Sequence, residues 1–309
     1  MSCANPGPAS LLGTSLRALL GLLLGFALLA AMSASQEFPV VSRAPETRDL
    51  FTLVITNEKN SETILGQFER TERVEKRKIG GDQDPVETRT TRHFPVGTGV
   101  DKIALSPDGQ PADRESYRID LEKLEKYLVW VAQDGAAQKE AYARTERRLK
   151  ERYELIEATH HAFLFTFVGN ETREDRTLLR YTMAPNPAYQ PTSRNTILFT
   201  KVTGTVWVDE RSSELAKIEG RVTEDVSIAL FLAKVYQGSH FMQERYEIAP
   251  GVWEPTYEQF DFEGRKYLMP FSIHERTFYT NYKRVGPPRE AVEVVRAELS
   301  KLRTEQPAR

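Results

Sequence analysis

The sequence predicts an α+β fold in which a broad, curved antiparallel meander sheet is covered on one face by helices. The period of the apolar residues changes near His161, from helical spacing upstream to strand alternation downstream. Short, turn-like stretches join the downstream segments, which favours antiparallel neighbours because a parallel crossover needs a dozen residues or more. The two faces of the strands also differ in polarity, so one face has to be covered.

The first thirty-five residues have the pattern of a secretory signal peptide. Arg17 precedes the apolar run from Ala18 to Ala31, which is followed by the small residues of MSAS. We expect residues 1–35 to be cleaved and the mature protein to begin near Gln36. The protein would then be periplasmic or otherwise exported, with no stable transmembrane span. The apolar run is short for a bilayer span, and an uncleaved N-terminal anchor is the alternative.

The cysteine content indicates how the protein is stabilised, and its net charge argues against some classes of partner. The only cysteine, Cys3, lies within the predicted signal peptide, so we expect a mature chain without disulfides that is stabilised by an ordinary core. The formal net charge of the 309-residue chain is −2. This balance argues against nucleic acid as a partner and against a broadly cationic membrane-binding surface.

The region before the sheet predicts one helix and one charged strand pair. Apolar residues between Pro45 and Phe68 follow a helical period, with Asn60-Ser61 as a break. The charged stretches 68–81 and 86–96 predict an antiparallel pair that turns through 80–82. Their charge suits exposed or edge strands, and a helix is the alternative. SPDGQP at 106–111 predicts a turn.

A helical hairpin is predicted at about 113–157. Asp113 can cap a first helix whose apolar stripe is Leu121, Leu124, Leu128 and Val131. Asp134-Gly135 ends this helix, and a second one is predicted at about 137–157. Its dense charge is typical of a solvated face, with a partner-docking surface as the alternative.

Seven candidate strands follow between residues 161 and 282. They are HAFLFTFVG, TLLRYTMAP, ILFTKVTGTVWVDE, ELAKIEGRVTEDV, HFMQERYEIAP, VWEPTYEQFDFEG and KYLMPFSIHERTFYTNY. Sequential strands commonly pair, so we predict one antiparallel sheet in sequential order. The hairpin 202–222 should be an internal pair of that sheet.

Several stretches resemble the periplasmic lipoprotein-carrier and outer-membrane lipoprotein-sorting superfamily, and particularly its uncharacterised exported bacterial branch. They are Gly204 to Asp209 with the following LAKIEGRV, Gly238 to Phe241, and Pro250 to Pro255. The resemblance implies an incomplete antiparallel β-barrel, closed by helices around an apolar cavity for acyl chains. It also implies a single half-barrel domain over 36–309, with the hairpin at about 113–157 inserted. Some members of the superfamily instead sense mislocalised lipoproteins.

Nine residues are candidates for lining the implied cavity, and each is also explained as an ordinary core side chain. Alternation favours Met269 and Phe271 as inward residues, and the amphipathic rings of the two tryptophans suit a cavity mouth. The candidates are Phe163, Phe165, Phe167, Val206, Trp207, Trp253, Tyr267, Met269 and Phe271.

Catalytic and metal-binding motifs give weak signals. The sequence has no G-x-S-x-G, H-E-x-x-H or Gly-rich phosphate loop. Glu157 and His161 have i, i+4 spacing, but two ligands make a poor metal site. We therefore expect no enzyme activity, no cofactor and no metal.

Two functions are compatible with these observations, one of a binding protein and one of an interaction protein. The first is a carrier or chaperone that binds a lipid, or the acyl part of a lipoprotein, in the apolar cavity. The second is a periplasmic sensor or interaction protein that docks an envelope protein through its charged strands and helical hairpin.

Overall fold

The structure, a computed structural model, describes residues 47–78, 85–193, 196–228, 233–267 and 269–304. The predicted signal peptide and the predicted turn at 80–82 lie outside these residues.

Twelve strands of the described chain form one antiparallel sheet. Its order is β3-β2-β1-β12-β11-β10-β7-β6-β5-β4, so the sheet is open and ends at β3 and β4. The strands are β1 Phe68–Lys76, β2 Glu87–Pro95, β3 Val100–Leu105, β4 Phe163–Arg173, β5 Arg176–Pro185, β6 Val202–Asp209, β7 Leu215–Val222, β8 Val226–Ile228, β9 Ala233–Val235, β10 His240–Ala249, β11 Val252–Lys266 and β12 Met269–Arg284. The predicted combination of an open antiparallel sheet with helices is confirmed.

Four α-helices accompany the sheet in the described residues. They are α1 Thr47–Ile64, α2 Arg114–Val131, α3 Ala136–Ala162 and α4 Pro288–Thr304, with 3-10 helices at Leu65–Gln67 and Thr196–Lys201. The predicted hairpin is α2 and α3, and Asp113 caps α2 by accepting a hydrogen bond from the Ser116 N–H at 2.7 Å. Helix α3 runs five residues beyond the predicted end, so β4 begins at Phe163 rather than at His161.

Contacts within the chain are concentrated in two compact units, each built from three stretches. In described residues, unit 1 comprises 47–57, 155–244 and 260–273, and unit 2 comprises 58–154, 245–259 and 274–304. Each unit has its own apolar core. The single domain predicted over 36–309 stays a prediction.

The core of unit 1 is built from β5, β6, β7 and the start of α1. Leu50, Phe51 and Val54 of α1 are buried in it, as the helical period predicts. Tyr181, Val206 and further strand residues complete it. The glycine at the start of the GTVWVD motif allows β6 and β7 to approach closely, because a Cβ on Gly204 would overlap the backbone carbonyl of Glu219.

The core of unit 2 is formed largely by helices. Leu121, Leu124 and Leu128 of α2 are fully buried together with Val295 and Leu299 of α4. Helix α4 was not predicted. Its signals are Pro288 at the first helical position and apolar residues at 291, 292, 295 and 299.

The sheet confirms the predicted order of the strands in 161–282 with one difference. Hairpin β6–β7 is internal, as predicted, and β10 pairs with β7. The short hairpin β8–β9 leaves the sequential path, and β9 pairs with β11 at Gly264. A Cβ at Gly264 would lie 2.7 Å from the Phe271 ring and closer still to the backbone carbonyl of Lys234. The predicted end of the strand VWEPTYEQFDFEG at Gly264 is wrong, because β11 continues to Lys266.

The prediction that the charged pair is exposed or at a sheet edge is wrong. β1 lies between β2 and β12, and the edge strand is β3, which was not predicted. Glu69, Glu72 and Glu75 of β1 are buried, because neighbouring cations pair with them. Glu69 pairs with Arg92 at 2.5 Å, and Glu75 pairs with Arg77 at 2.6 Å.

Two further local predictions are wrong. Asn60-Ser61 does not break α1, because the Ser61 hydroxyl is buried and donates to the Trp253 carbonyl at 3.2 Å. Residues 196–201 form a 3-10 helix instead of the start of a strand. Ser193 initiates this helix, since its backbone carbonyl accepts a hydrogen bond from the Thr196 N–H at 3.2 Å.

Candidate functional site

An open pocket of about 570 Å³ lies in unit 1, where α1, the end of α3 and the start of β4 meet the segment after β5. This volume falls within the range of small-molecule sites. Its lining residues are Thr47, Arg48, Phe51, His160, His161, Phe163, Leu164, Phe165, Asn186, Ala188, Tyr189 and Gln190.

The wall of the pocket is aromatic. Phe51 of α1 and Phe165 of β4 stack with their ring centroids 3.5 Å apart, and Phe51 meets Tyr181 edge-on at 5.1 Å. Phe163 contacts Phe199 at 5.4 Å. Because these rings are held by the core of unit 1, they form a preformed apolar surface.

The segment after β5 is fixed to the junction of α3 and β4. The Asn186 backbone N–H donates to the Ala162 carbonyl at 2.8 Å, and its side-chain amide donates to the His161 carbonyl at 3.0 Å. The Asn186 side chain also accepts from the Ala188 N–H at 3.0 Å, which forms an Asx-turn. Tyr189 is thereby placed against the pocket, and its hydroxyl is buried without a hydrogen bond among the described residues.

Basic side chains lie among the lining residues. The rings of His160 and His161 stack at 5.4 Å, and His161 lies 3.8 Å from Glu157. Burial, and then the neighbouring His161, lower the pKa of His160. Arg48 carries the only permanent charge among the described lining residues. An apolar wall beside a cation suits an amphiphile with an anionic head.

Two of the nine predicted cavity residues line this pocket, namely Phe163 and Phe165. Phe167, on the same strand, is exposed and packs edge-on against Tyr181 at 5.4 Å. Phe271 is half-buried and packs against the core of unit 1, where Val206 is fully enclosed.

Both tryptophans among the predicted residues are buried. The Trp207 indole donates to the Glu171 carboxylate at 2.7 Å, and the Lys217 ammonium lies 4.9 Å from its ring centroid. Trp253 belongs to unit 2 and is fully buried there. Neither ring lines the pocket of unit 1.

The inward orientation predicted for Met269 is wrong. Met269 is 73% exposed and Tyr267 is 60% exposed. Both residues lie where β11 ends and β12 begins, and Tyr267 has the positive φ of 55° that such a reversal requires. Alternation predicts which face a side chain occupies only while a strand continues. Because the chain reverses here, the alternation does not apply to Tyr267 and Met269.

Sequence reasoning missed three elements of the pocket. Phe51 was assigned only to the apolar stripe of α1, and Arg48 and Tyr189 carried no signal. His161 had been considered only with Glu157 as a metal ligand. Within the residues the structure describes, no group of three His, Cys, Asp or Glu is placed to hold a metal ion.

A second groove, of about 450 Å³, lies in unit 2 beside β1, β2 and α4. Most of the charged side chains that line it are paired with one another. Arg92 donates to Glu69 at 2.7 Å, to Glu298 at 2.9 Å and to the Tyr117 hydroxyl at 2.6 Å. Burial raises the pKa of Tyr117 to about 12, so its hydroxyl stays protonated and can donate to Glu298 at 2.7 Å. Tyr117 is the only aromatic side chain among the described residues that line this groove.

Comparisons with known proteins found similarity to solved structures only. No protein-family model matches the chain, and no curated protein matches it. The chain is similar to the crystal structure of a LolA superfamily protein from Nitrosomonas europaea, with 11% identity and a TM-score of 0.27, over 78% of this chain and 96% of that one. It is also similar to a domain described as an outer membrane lipoprotein-sorting protein from Vibrio parahaemolyticus, with 10% identity and a TM-score of 0.30, over 79% of this chain and 97% of that one. At these values neither structure informs the ligand or the activity of this chain.

One structural finding concerns membranes. None of the helices in the described parts of the chain has the length and apolarity needed to cross a bilayer.

Proposed function

We propose that the protein is an exported carrier that binds a lipid, or the acyl part of a lipoprotein, without chemical turnover. The observation that carries this proposal is the aromatic pocket of unit 1, with Phe51 and Phe165 in its wall and Arg48 beside it. The apolar chain would lie against the rings, and an anionic head would face Arg48.

Burial of an acyl chain supplies enough free energy for such a site. Each buried methylene contributes about 0.8 kcal/mol, so twelve methylenes would contribute roughly 10 kcal/mol before the cost of association. That cost is about 4–15 kcal/mol. The net affinity would therefore be modest and reversible, as a carrier requires.

The lining chemistry supports binding rather than catalysis. The described lining residues include no serine, cysteine or carboxylate. The Asn186 side chain is hydrogen-bonded to the Ala188 N–H and the His161 carbonyl. Among the described residues no nucleophile is hydrogen-bonded to His160, whose pKa burial lowers. A nucleophile and a base held within hydrogen-bond reach are the usual minimum for covalent catalysis.

Leu164 provides the test of the apolar wall. Leu164 lines the pocket and is 50% exposed, so Leu164→Ser should not affect folding strongly. Loss of its contact should weaken binding of a fluorescent fatty acid about tenfold, since a leucine contributes roughly 1.5–3 kcal/mol when fully buried. Val168→Ser is the matched control, because Val168 is 43% exposed on the same strand and does not line the pocket. Absence of binding by the wild type, or equal weakening in both variants, contradicts the proposal.

Substitution of Arg48 tests whether the pocket recognises the anionic head group of the ligand. No carboxylate among the described residues pairs with Arg48. Arg48→Gln should raise the dissociation constant of a fatty acid while leaving that of the matching fatty alcohol unchanged. Arg211→Gln is the control, because Arg211 is an exposed arginine of unit 1 that does not line the pocket. Equal effects of Arg48→Gln on both competitors would exclude charge recognition.

A second candidate function is an interaction protein that docks an envelope partner through the helical hairpin. Helix α2 exposes three large apolar side chains, Ile119, Tyr127 and Val129, which is the observation in its favour. A photoreactive residue at Ile119 should form one discrete adduct in exported material, and Val129→Glu should abolish it. If no adduct forms, this candidate fails, whereas the lipid-binding assays are unaffected.

A further inference from the structure

Unit 2 buries a carboxyl group that has no hydrogen bond among the described residues. Glu254 of β11 is 1% exposed, and its Oε1 has no hydrogen-bond partner there. A buried ionised carboxylate without a partner is strongly disfavoured, and such a group normally becomes neutral instead.

The charges closest to Glu254 are already matched with one another. Arg245 of β10 donates one hydrogen bond to Glu58 of α1 at 2.7 Å and another to the Trp253 carbonyl at 2.9 Å. Arg152 of α3 pairs with Glu62 of α1 at 2.5 Å. Arg245 and Arg152 each bond to one glutamate, and Glu254 is a further carboxyl of the cluster. Burial also raises the pKa of Glu58.

Two other elements complete the surroundings of Glu254. Arg70 of β1 is a further positive charge, but its guanidinium lies beside the Tyr279 ring, 5.8 Å from the centroid. The Tyr282 hydroxyl of β12 donates to the Pro255 carbonyl at 2.6 Å, and burial raises the pKa of this hydroxyl, so it remains neutral. Neither group bonds to Glu254.

We propose that Glu254 is a proton-binding group, held neutral by its enclosure next to the Arg245–Glu58 and Arg152–Glu62 pairs, that makes unit 2 sensitive to pH in the neutral range. Ionisation of Glu254 places a negative charge that has no hydrogen bond among the described residues in an enclosed site beside Glu58 and Glu62, which oppose it. The proton is the ligand, and the observable consequence is a loss of stability of unit 2 as that proton leaves.

The direction of the pH dependence follows from the pKa of Glu254. Burial, opposed by Arg245 and reinforced by Glu62 and Glu58, raises this pKa from 4.5 to about 8. Between these values the unfolded chain has released the proton and the folded chain retains it. The stabilising contribution is therefore complete below pH 4.5 and is lost as the pH rises through about 8.

Infrared spectroscopy tests the proton directly. The wild-type protein at pH 6.5 should show the C=O band of a protonated buried carboxyl group, which disappears near pH 8 and is absent from Glu254→Gln. Glu146→Gln is the control, because Glu146 is an exposed carboxylate of α3 in unit 2. If Glu254→Gln does not fold, Glu254→Met replaces it as the apolar variant of similar length.

Urea unfolding gives an independent measurement. As the pH is raised from 5 to 9, the urea concentration at the unfolding midpoint of the wild type should decrease relative to that of Glu254→Gln. The midpoint of Glu146→Gln should follow that of the wild type. The proposal is overturned if the wild type shows no protonated carboxyl at pH 6.5, if the band persists in both Glu254 variants, or if the two midpoints change in parallel.

Discussion

Gly204 allows a quantitative test of how closely β6 and β7 must pair. It lies opposite Gly220 on β7 and Met183 on β5, so it sits in the interior of the sheet. An added Cβ would lie 2.8 Å from the Glu219 carbonyl carbon and 2.9 Å from the Gly220 Cα, where real Cβ atoms keep at least 3.0 Å. The nearest atoms belong to the backbone, so a side-chain rotation cannot relieve the overlap.

The expected cost of Gly204→Ala is about 3 kcal/mol. Overpacking a well-packed site costs roughly 1–3 kcal/mol, and displacement of β6 would weaken ladder hydrogen bonds contributing about 1 kcal/mol each. With an m-value near 3 kcal/mol/M, the urea midpoint should fall by about 1 M.

Urea unfolding followed by far-ultraviolet circular dichroism measures this change. The control is Gly66→Ala, because a Cβ at Gly66 meets nothing within 4 Å. It should change the free energy of unfolding by less than about 1 kcal/mol, and reduced freedom of the unfolded chain favours stabilisation. A Gly204→Ala protein within about 0.5 kcal/mol of the wild type would refute the argument that β6 and β7 need a glycine here.

Three further predictions concern unit 2, each measured by denaturant unfolding. Leu124→Ala should lower the free energy of unfolding by about 2–5 kcal/mol, because Leu124 is fully buried between α2 and α4. Arg92→Met should cost about 3–5 kcal/mol at pH 7, since it leaves the buried Glu69 without its closest cation. Burial, opposed by Glu72, lowers the pKa of His93 below 6.5, so stability should fall as the pH decreases below 6.5, and His93→Asn should reduce that fall.

Local patterns predicted the elements whose signals lie within short stretches of the chain. The alternation and the short turn between Val202 and Val222 predicted hairpin β6–β7, and the apolar stripe from Leu121 to Val131 predicted α2. These patterns depend on neighbours two to four residues apart, which the sequence displays directly.

The errors arose where distant partners determine the environment of a residue. Glu69 looked like a surface residue, but Arg92 pairs with it inside the sheet. Asn60-Ser61 looked like a helix break, but α1 continues through Ser61, whose hydroxyl donates a hydrogen bond to the Trp253 carbonyl of β11. Neither contact can be read from nearby residues, because both partners lie far away in the chain.

In the candidate site, too, local patterns predicted some residues, whereas distant partners determine the position of others. Phe163 and Phe165 were predicted from their position on an alternating strand, and both line the pocket. Phe51 joins them from helix α1, and Tyr189 reaches the pocket through the Asx-turn of Asn186. That turn is fixed by tertiary hydrogen bonds to residues 161 and 162, which alternation alone does not indicate.

The pairing of β1 with β12 governs when unit 2 can fold. Phe68 lies opposite Arg284, so a strand near the start of the described chain has one neighbour near its end. β1 can pair with β2 as soon as that strand is made, but its other side stays unpaired until nearly the whole chain has been synthesised. Contacts of such long sequence separation slow folding, because a large loop must close before they form. Unit 2 therefore cannot complete its part of the sheet before β12 has been synthesised.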